Sequence, residues 1–223
     1  MALRHFTSSL ALATLLACSV AIPATSEAAK VVHIVRGGGG YFPNLPNIVN
    51  KNYKSRGLTV VDFRVDQQSK AIKEMAESYK NGKLQGGIHI VGYSAGGPAT
   101  INIANKLGEL GIPVNLIVMI ETIKPSMPIP ANVKNCFNLH NSLARPVRAV
   151  SPERTTIYNC NAHKDAGFGP EYGHFRIPWV DGVHEMIADE VLNAIAGNPP
   201  GKTVAARKAK NESRKNKKKK AEG

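Results

Sequence analysis

The segment Gly86-Gly-Ile-His-Ile-Val-Gly-Tyr-Ser-Ala-Gly-Gly97 restricts the fold more than any other part of the chain. Ile88, Ile90 and Val91 make a short apolar run suited to a buried strand, and helical spacing begins directly after Gly92-Tyr93-Ser94-Ala95-Gly96. A strand that becomes a helix with no loop between them holds the serine in a strained backbone conformation and pushes its hydroxyl out of the sheet. Glycines two residues to either side are needed because strand and helix pass too close for a β-carbon. The amide of Ala95, in the first helical turn, points toward the same spot. The turn therefore offers a nucleophile, Ser94, and one oxyanion donor together. The pentapeptide alone arises by chance in many chains; the strand before it and the helix after it give it meaning here.

The rest of the chain alternates in the same way. Residues 30–35 read as a strand running into Arg36-Gly37-Gly38-Gly39-Gly40, and Leu45, Ile48, Val49 and Tyr53 carry helical spacing up to a stop at Gly57. Residues 58–65 form the next expected strand. Ser69 is then expected to cap a helix with Ile72, Met75, Ala76 and Tyr79 on one face, ended by Asn81-Gly82. The helix after the serine carries Ile103, Leu107 and Leu110 on one face. Residues 114–120 are continuously apolar, as a strand buried on both faces requires. Weaker strands are read at 133–139 and 155–160, and a last helix at about 182–195. This β-α-β order predicts the α/β class, a three-layer α/β/α sandwich around a mostly parallel sheet.

Both ends depart from this pattern. Residues 1–29 read as an export signal: Arg4 at the start, an apolar stretch over 10–20, and Ser26-Glu27-Ala28 at a cleavage site. The expected location is periplasmic or secreted; the rival reading is a lipobox, Leu15-Leu16-Ala17-Cys18, with Cys18 lipidated. Residues 30–197 are expected to form the folded domain and 198–223 a disordered, Lys-rich tail. From Lys202 onward the local charge is +8 out of the chain's +13, which leaves +5 for the rest. The high pI is therefore a property of the tail, suited to weak contact with anionic surfaces rather than to a specific nucleic acid. In the mature chain Cys136 and Cys160 read equally as a disulfide or as two buried thiols.

A serine hydroxyl needs a base. Among the histidines after Ser94, His174 sits in Gly173-His174-Phe175 on the loop before the last helix, His184 in the opening turns of that helix, His163 just after the last strand and His140 at a strand end. His174 is the expected base and His184 its main rival. The base needs a carboxylate to fix its tautomer. Glu121 follows the 114–120 strand, at the end where parallel sheets bind ligands, with Asp165 and Glu153 as alternatives on later loops. A second oxyanion donor is expected from the bare amides after residue 35, with Gly38 the first choice and Gly39 the second. A phosphate-binding loop is excluded there because no Gly-Lys-Ser/Thr follows and Pro43 breaks the Gly-x-Gly-x-x-Gly spacing. His163, Asp165, His174 and His184 lack diagnostic metal spacing, so no metal is expected.

With Ser94, a later acid and then His174 in chain order, residues 30–195 resemble the α/β-hydrolase superfamily. Arg36-Gly37-Gly38-Gly39 is similar to the family's oxyanion loop, with Arg36 where a histidine often stands, and Gly173-His174-Phe175 to the segment that leads into its final helix. The acid departs from the common pattern. Asn138, His140 and Asn141 occupy its usual place, and Val118-Met119-Ile120-Glu121 resembles the variant that carries it one strand earlier. The resemblance implies a compact, lidless esterase, lipase or thioesterase. Its triad would be Ser94, His174 and Glu121, its oxyanion hole Ala95 and Gly38, its substrate a small-molecule or lipid-like ester, and no cofactor is required. Competing readings are a non-catalytic envelope protein that binds anionic partners through its tail, and a peptidase on the same fold.

Overall fold

The strands β1 (Val31–Val35), β2 (Thr59–Phe63), β3 (Ile88–Tyr93), β4 (Val114–Ile120), β5 (Val133–His140) and β6 (Thr156–Asn161) pair in the order β2-β1-β3-β4-β5-β6, every pair parallel. The computed structural model describes residues 27–40, 42, 46–122, 127–141, 144–206 and 208–209. The helices are α1 (Pro46–Asn52), α2 (Gln68–Lys80), α3 (Gly96–Glu109) and α4 (Asp181–Ile195).

Alternation along the strands divides the core into two apolar layers. Val32, Ile34, Val91, Val118, Phe137 and Leu139 face α4, meeting Val183, Ile187 and Val191. Val35, Ile90, Ile117, Met119 and Cys136 face the other way, onto Ala71 and Met75 of α2 and Ile103 and Leu107 of α3. A sheet covered on both faces must be apolar on both, which is why β4 is an unbroken hydrophobic run.

The strand order positions the site. From β1 the chain moves to one side to make β2, then crosses back past β1 to make β3 and continues the other way. The connections leaving β1 and β3 therefore diverge, and a crevice opens at the carboxyl ends of those two neighbours. The glycine run after Val35 and the turn at Ser94 lie at its two sides.

Two expectations change, and one open pair of alternatives is decided. Ser69 is not a cap: a 3-10 turn at Val65–Gln67 leads directly into α2, and Arg64 starts it with its amide held by the Gln67 side chain at 2.9 Å. The domain does not end at residue 197. Residues 202–206 are helical, Val204 is buried in the α4 layer, and Gly201 donates its amide to the buried carboxylate of Glu190 at 3.0 Å. One apolar side chain and one cap are enough to dock a turn that composition assigns to the tail; the rest of the tail, residues 207 and 210–223, lies outside the described residues. Cys136 and Cys160 are free thiols on opposite faces of the sheet, one in each apolar layer, so the sheet itself separates them. Burial pushes both thiols up, Cys160 to about 12. Residues 1–26, which include Cys18 and most of the expected signal, are outside the described residues, as are Pro43 and Leu45; among the described residues no helix is long and apolar enough to cross a membrane.

Candidate active site

Ser94 follows the last residue of β3 with a left-handed φ of 52°, and its amide donates to the Ile120 carbonyl of β4 at 3.0 Å. Glu121 repeats this geometry one strand over: φ is 46°, and its amide donates to Leu139 of β5 at 2.9 Å. Such a conformation costs a non-glycine residue about 1–3 kcal/mol. Each is held by one hydrogen bond to the neighbouring strand. These are the two positive-φ non-glycine residues of the described chain.

The glycines of the turn are required by contact. A β-carbon on Gly96 would run into the carbonyl oxygens of Val35 and Arg36, and one on Gly92 would lie 2.6 Å from Thr100 Oγ1. The first turn of α3 thus rests directly on the end of β1, which brings the Ala95 amide beside the loop that carries Gly38. Among the described residues neither of these two amides meets a hydrogen-bond acceptor. Gly38 opens onto free space and Gly39 turns the chain with φ 67°. Arg36, at the start of this loop, pairs with Asp62 at the end of β2.

His174 reaches the crevice from the loop between β6 and α4. Its Nε2 lies 3.0 Å from Ser94 Oγ, and its Nδ1 lies 3.6 Å from Glu121 Oε2. Ser94 and His174 are each 7% exposed and Glu121 is fully buried. Burial lowers the His174 pKa, because the charged imidazolium loses solvation. Burial raises Glu121 to about 7, offset in part by the Asn141 amide and His163. In this arrangement the serine hydroxyl can donate to a neutral imidazole, and a carboxylate stands behind the ring to meet the charge that proton transfer creates.

Tyr93 holds the histidine in place, a role its sequence position did not reveal. Its hydroxyl donates to the His174 carbonyl at 2.7 Å, and its ring stacks on the imidazole with centroids 5.4 Å apart. Thr122, buried beside Glu121, packs against Gly97 and ties the acid's loop to the helix that follows the serine.

The other candidates make other bonds. His184 is buried in α4, where the Tyr53 hydroxyl donates to its Nδ1 at 2.9 Å and its Nε2 donates to the Pro178 carbonyl at 2.7 Å. Both nitrogens are used, so it braces α4 against the chain after α1. His163 bonds the Phe168 carbonyl through Nδ1, and Asp165 closes the turn after β6 by accepting the Asn161 amide at 2.8 Å. Glu153 is exposed at the amino-terminal side of β6, the wrong end of the sheet. His140 sits at the end of β5 with a pKa lowered by burial. No group of these residues in the described chain converges as a metal site.

No family model matches the sequence, and no curated protein sequence matches it. In structure the chain is similar to an esterase from Pyrobaculum calidifontis at 16% identity, covering 76% of this chain and 77% of that one, with a TM-score of 0.48. It is similar to human thioesterase 2 at 11% identity, over 75% and 96% of the two chains, with a TM-score of 0.48. A thermophilic carboxylesterase from a metagenomic library matches at 15% identity over 79% and 83%, with a TM-score of 0.46.

Proposed function

We propose that the protein is a serine hydrolase of the α/β-hydrolase type that cleaves carboxylic esters or thioesters through an acyl-enzyme. The observation that carries this reading is the 3.0 Å approach of Ser94 Oγ to His174 Nε2, with Glu121 behind the ring at 3.6 Å, in the crevice between β1 and β3.

Ser94 attacks the substrate carbonyl while His174 takes its proton. The new oxyanion is received by the Ala95 and Gly38 amides, which meet no hydrogen-bond acceptor among the described residues. His174 then gives its proton to the leaving alcohol or thiol, so the bond to the carbonyl carbon breaks and acyl-Ser94 remains. Water attacks this ester with His174 as base, and collapse restores the serine. Glu121 keeps Nδ1 protonated and stabilises the imidazolium in each half-reaction. Export, with residues 1–29 removed, is part of the same proposal.

The test is hydrolysis of p-nitrophenyl esters across short and long acyl chains by the protein from Lys30 onward, beside Ser94→Ala. Turnover lost in the variant with its fold intact, and fluorophosphonate labelling confined to the wild type, is the expected result. Wild type and variant equally inert and equally unlabelled would refute it.

A further inference from the structure

A cleft of about 660 Å³ opens beside the histidine loop, between the start of α1 (Asn47, Ile48) and the stretch that carries Tyr172, Arg176, Trp179 and Asp181. This is the size of a small-molecule site. Tyr172 and Arg176 stand two residues to either side of His174, and α1 comes after the glycine loop of Gly38 in the chain, so both walls of the cleft continue from segments that carry site residues. Ser94 and His174 are themselves almost covered. A substrate can place little more than its reacting carbonyl there, so the rest of its binding energy must come from outside, and this cleft adjoins the loop that carries the histidine.

The charges in the cleft are unequal. Asp181 is answered by Lys51, with Asn52 donating to it at 3.3 Å, and these partners hold its carboxyl below the ordinary carboxylate value. Glu171 folds its carboxylate back over Gly169. Among the described residues no ion pair includes the Arg176 guanidinium. One turn further on, Trp179 leaves 46% of its surface open at the same cleft. The cleft thus presents the exposed part of an indole beside one uncompensated guanidinium, whose fork fits a carboxylate. A single positive charge matches a monoanion; a phosphate monoester, at about −1.5 to −2, would call for more.

We propose that this cleft is the recognition subsite of the Ser94 centre and selects esters bearing a carboxylate, paired by Arg176, on a chain or ring laid against Trp179. The proposal rests on Ser94 being the nucleophile, but its binding half can be measured without turnover. Trp179 is the only tryptophan in the 223-residue chain, so intrinsic fluorescence reads occupancy of this cleft directly.

In the Ser94→Ala protein, monomethyl suberate and its uncharged dimethyl ester are titrated against that signal, with and without Arg176→Gln. Arg176 is exposed and its replacement leaves the core untouched. The monoanion is expected to bind about five- to tenfold more tightly, an advantage that shrinks with added salt and vanishes in Arg176→Gln, while binding of the neutral ester is unchanged. Arg176→Lys should keep part of it. In the otherwise wild-type enzyme, the p-nitrophenyl monoester of suberate and p-nitrophenyl octanoate should show the same ratio in kcat/KM, through KM. Equal binding of the two ligands, or a preference that survives Arg176→Gln, overturns the subsite. Selective binding without hydrolysis of any ester leaves the anion site standing and refutes the hydrolase reading instead. Hydrolysis without selection does the reverse.

Discussion

Replacing Glu121 by Gln should make the protein more stable and nearly inactive, and the gain should depend on pH in a way that the buried carboxylate dictates. Glu121 has no exposed surface, and neither carboxylate oxygen makes a hydrogen bond of normal geometry within the described chain. Burial therefore raises its pKa from an ordinary 4.5 to about 7. Between those values the folded chain holds a proton that the unfolded chain has released, so this group's contribution to stability is fully present below pH 4.5 and is lost as pH rises through 7. At 1.36 kcal/mol for each tenfold change, the loss is about 3 kcal/mol at neutral to alkaline pH. Glutamine keeps the shape and never ionises. Urea or thermal unfolding of both proteins should show Glu121→Gln more stable by about 3 kcal/mol at about pH 8, a rise in Tm of about 6–12 °C, and near parity at about pH 4.5. The same substitution should lower kcat by about 10³–10⁴-fold, since nothing is left to balance the imidazolium. A variant that is destabilised, or whose stability differs from wild type by the same amount at both pH values, would refute the argument that the carboxylate is held ionised at a cost for the sake of His174.

The other predictions concern the same crevice and the chain terminus. The acid limb of kcat/KM should fall near pH 7, set by protonation of Glu121, rather than below the ordinary histidine value of 6.5 where burial alone would put His174; an initial-rate pH profile with a neutral ester that stays flat down to 6.5 would contradict it. Gly96→Ala should cost about 1–3 kcal/mol in denaturant unfolding and abolish turnover, because its β-carbon meets the backbone oxygens of Val35 and Arg36, which cannot move without displacing the glycine loop that follows them. Truncation after Gly197 should cost about 3 kcal/mol, the burial of Val204 plus the Gly201 bond to Glu190, whereas truncation after Lys208 should leave Tm unchanged. Equal Tm values for the two truncated forms would show that residues 198–206 are not part of the fold.

The parts of this molecule legible in its sequence are those fixed by local pattern. The apolar run of β4 and the strand-turn-helix at Ser94 depend on neighbours within a few residues, and their spacing states them directly. What was not legible depends on which strands become neighbours. The separation of Cys136 from Cys160 follows from the sheet face each occupies, and Tyr93 is an ordinary aromatic until the histidine loop folds back over it. Val204 was hidden because it stands at the start of a lysine-rich segment, and composition averages over the one side chain that docks. Glu121 falls between these cases. That it ends a strand is local, but choosing it over Asp165 or Glu153 requires knowing that β4 lies beside β3. The same pairing explains why Ser94 and Glu121 share one strained conformation. Each is the first residue past a strand's end, and each uses its amide to extend the ladder by one more bond to the next strand. Ending the strand in the left-handed region turns the side chain out of the sheet at a defined point, so the parallel ladder itself sets the spacing between serine and acid. The histidine, arriving on a long loop, is the one member of the three that needs a separate clamp, and the Tyr93 hydroxyl supplies it.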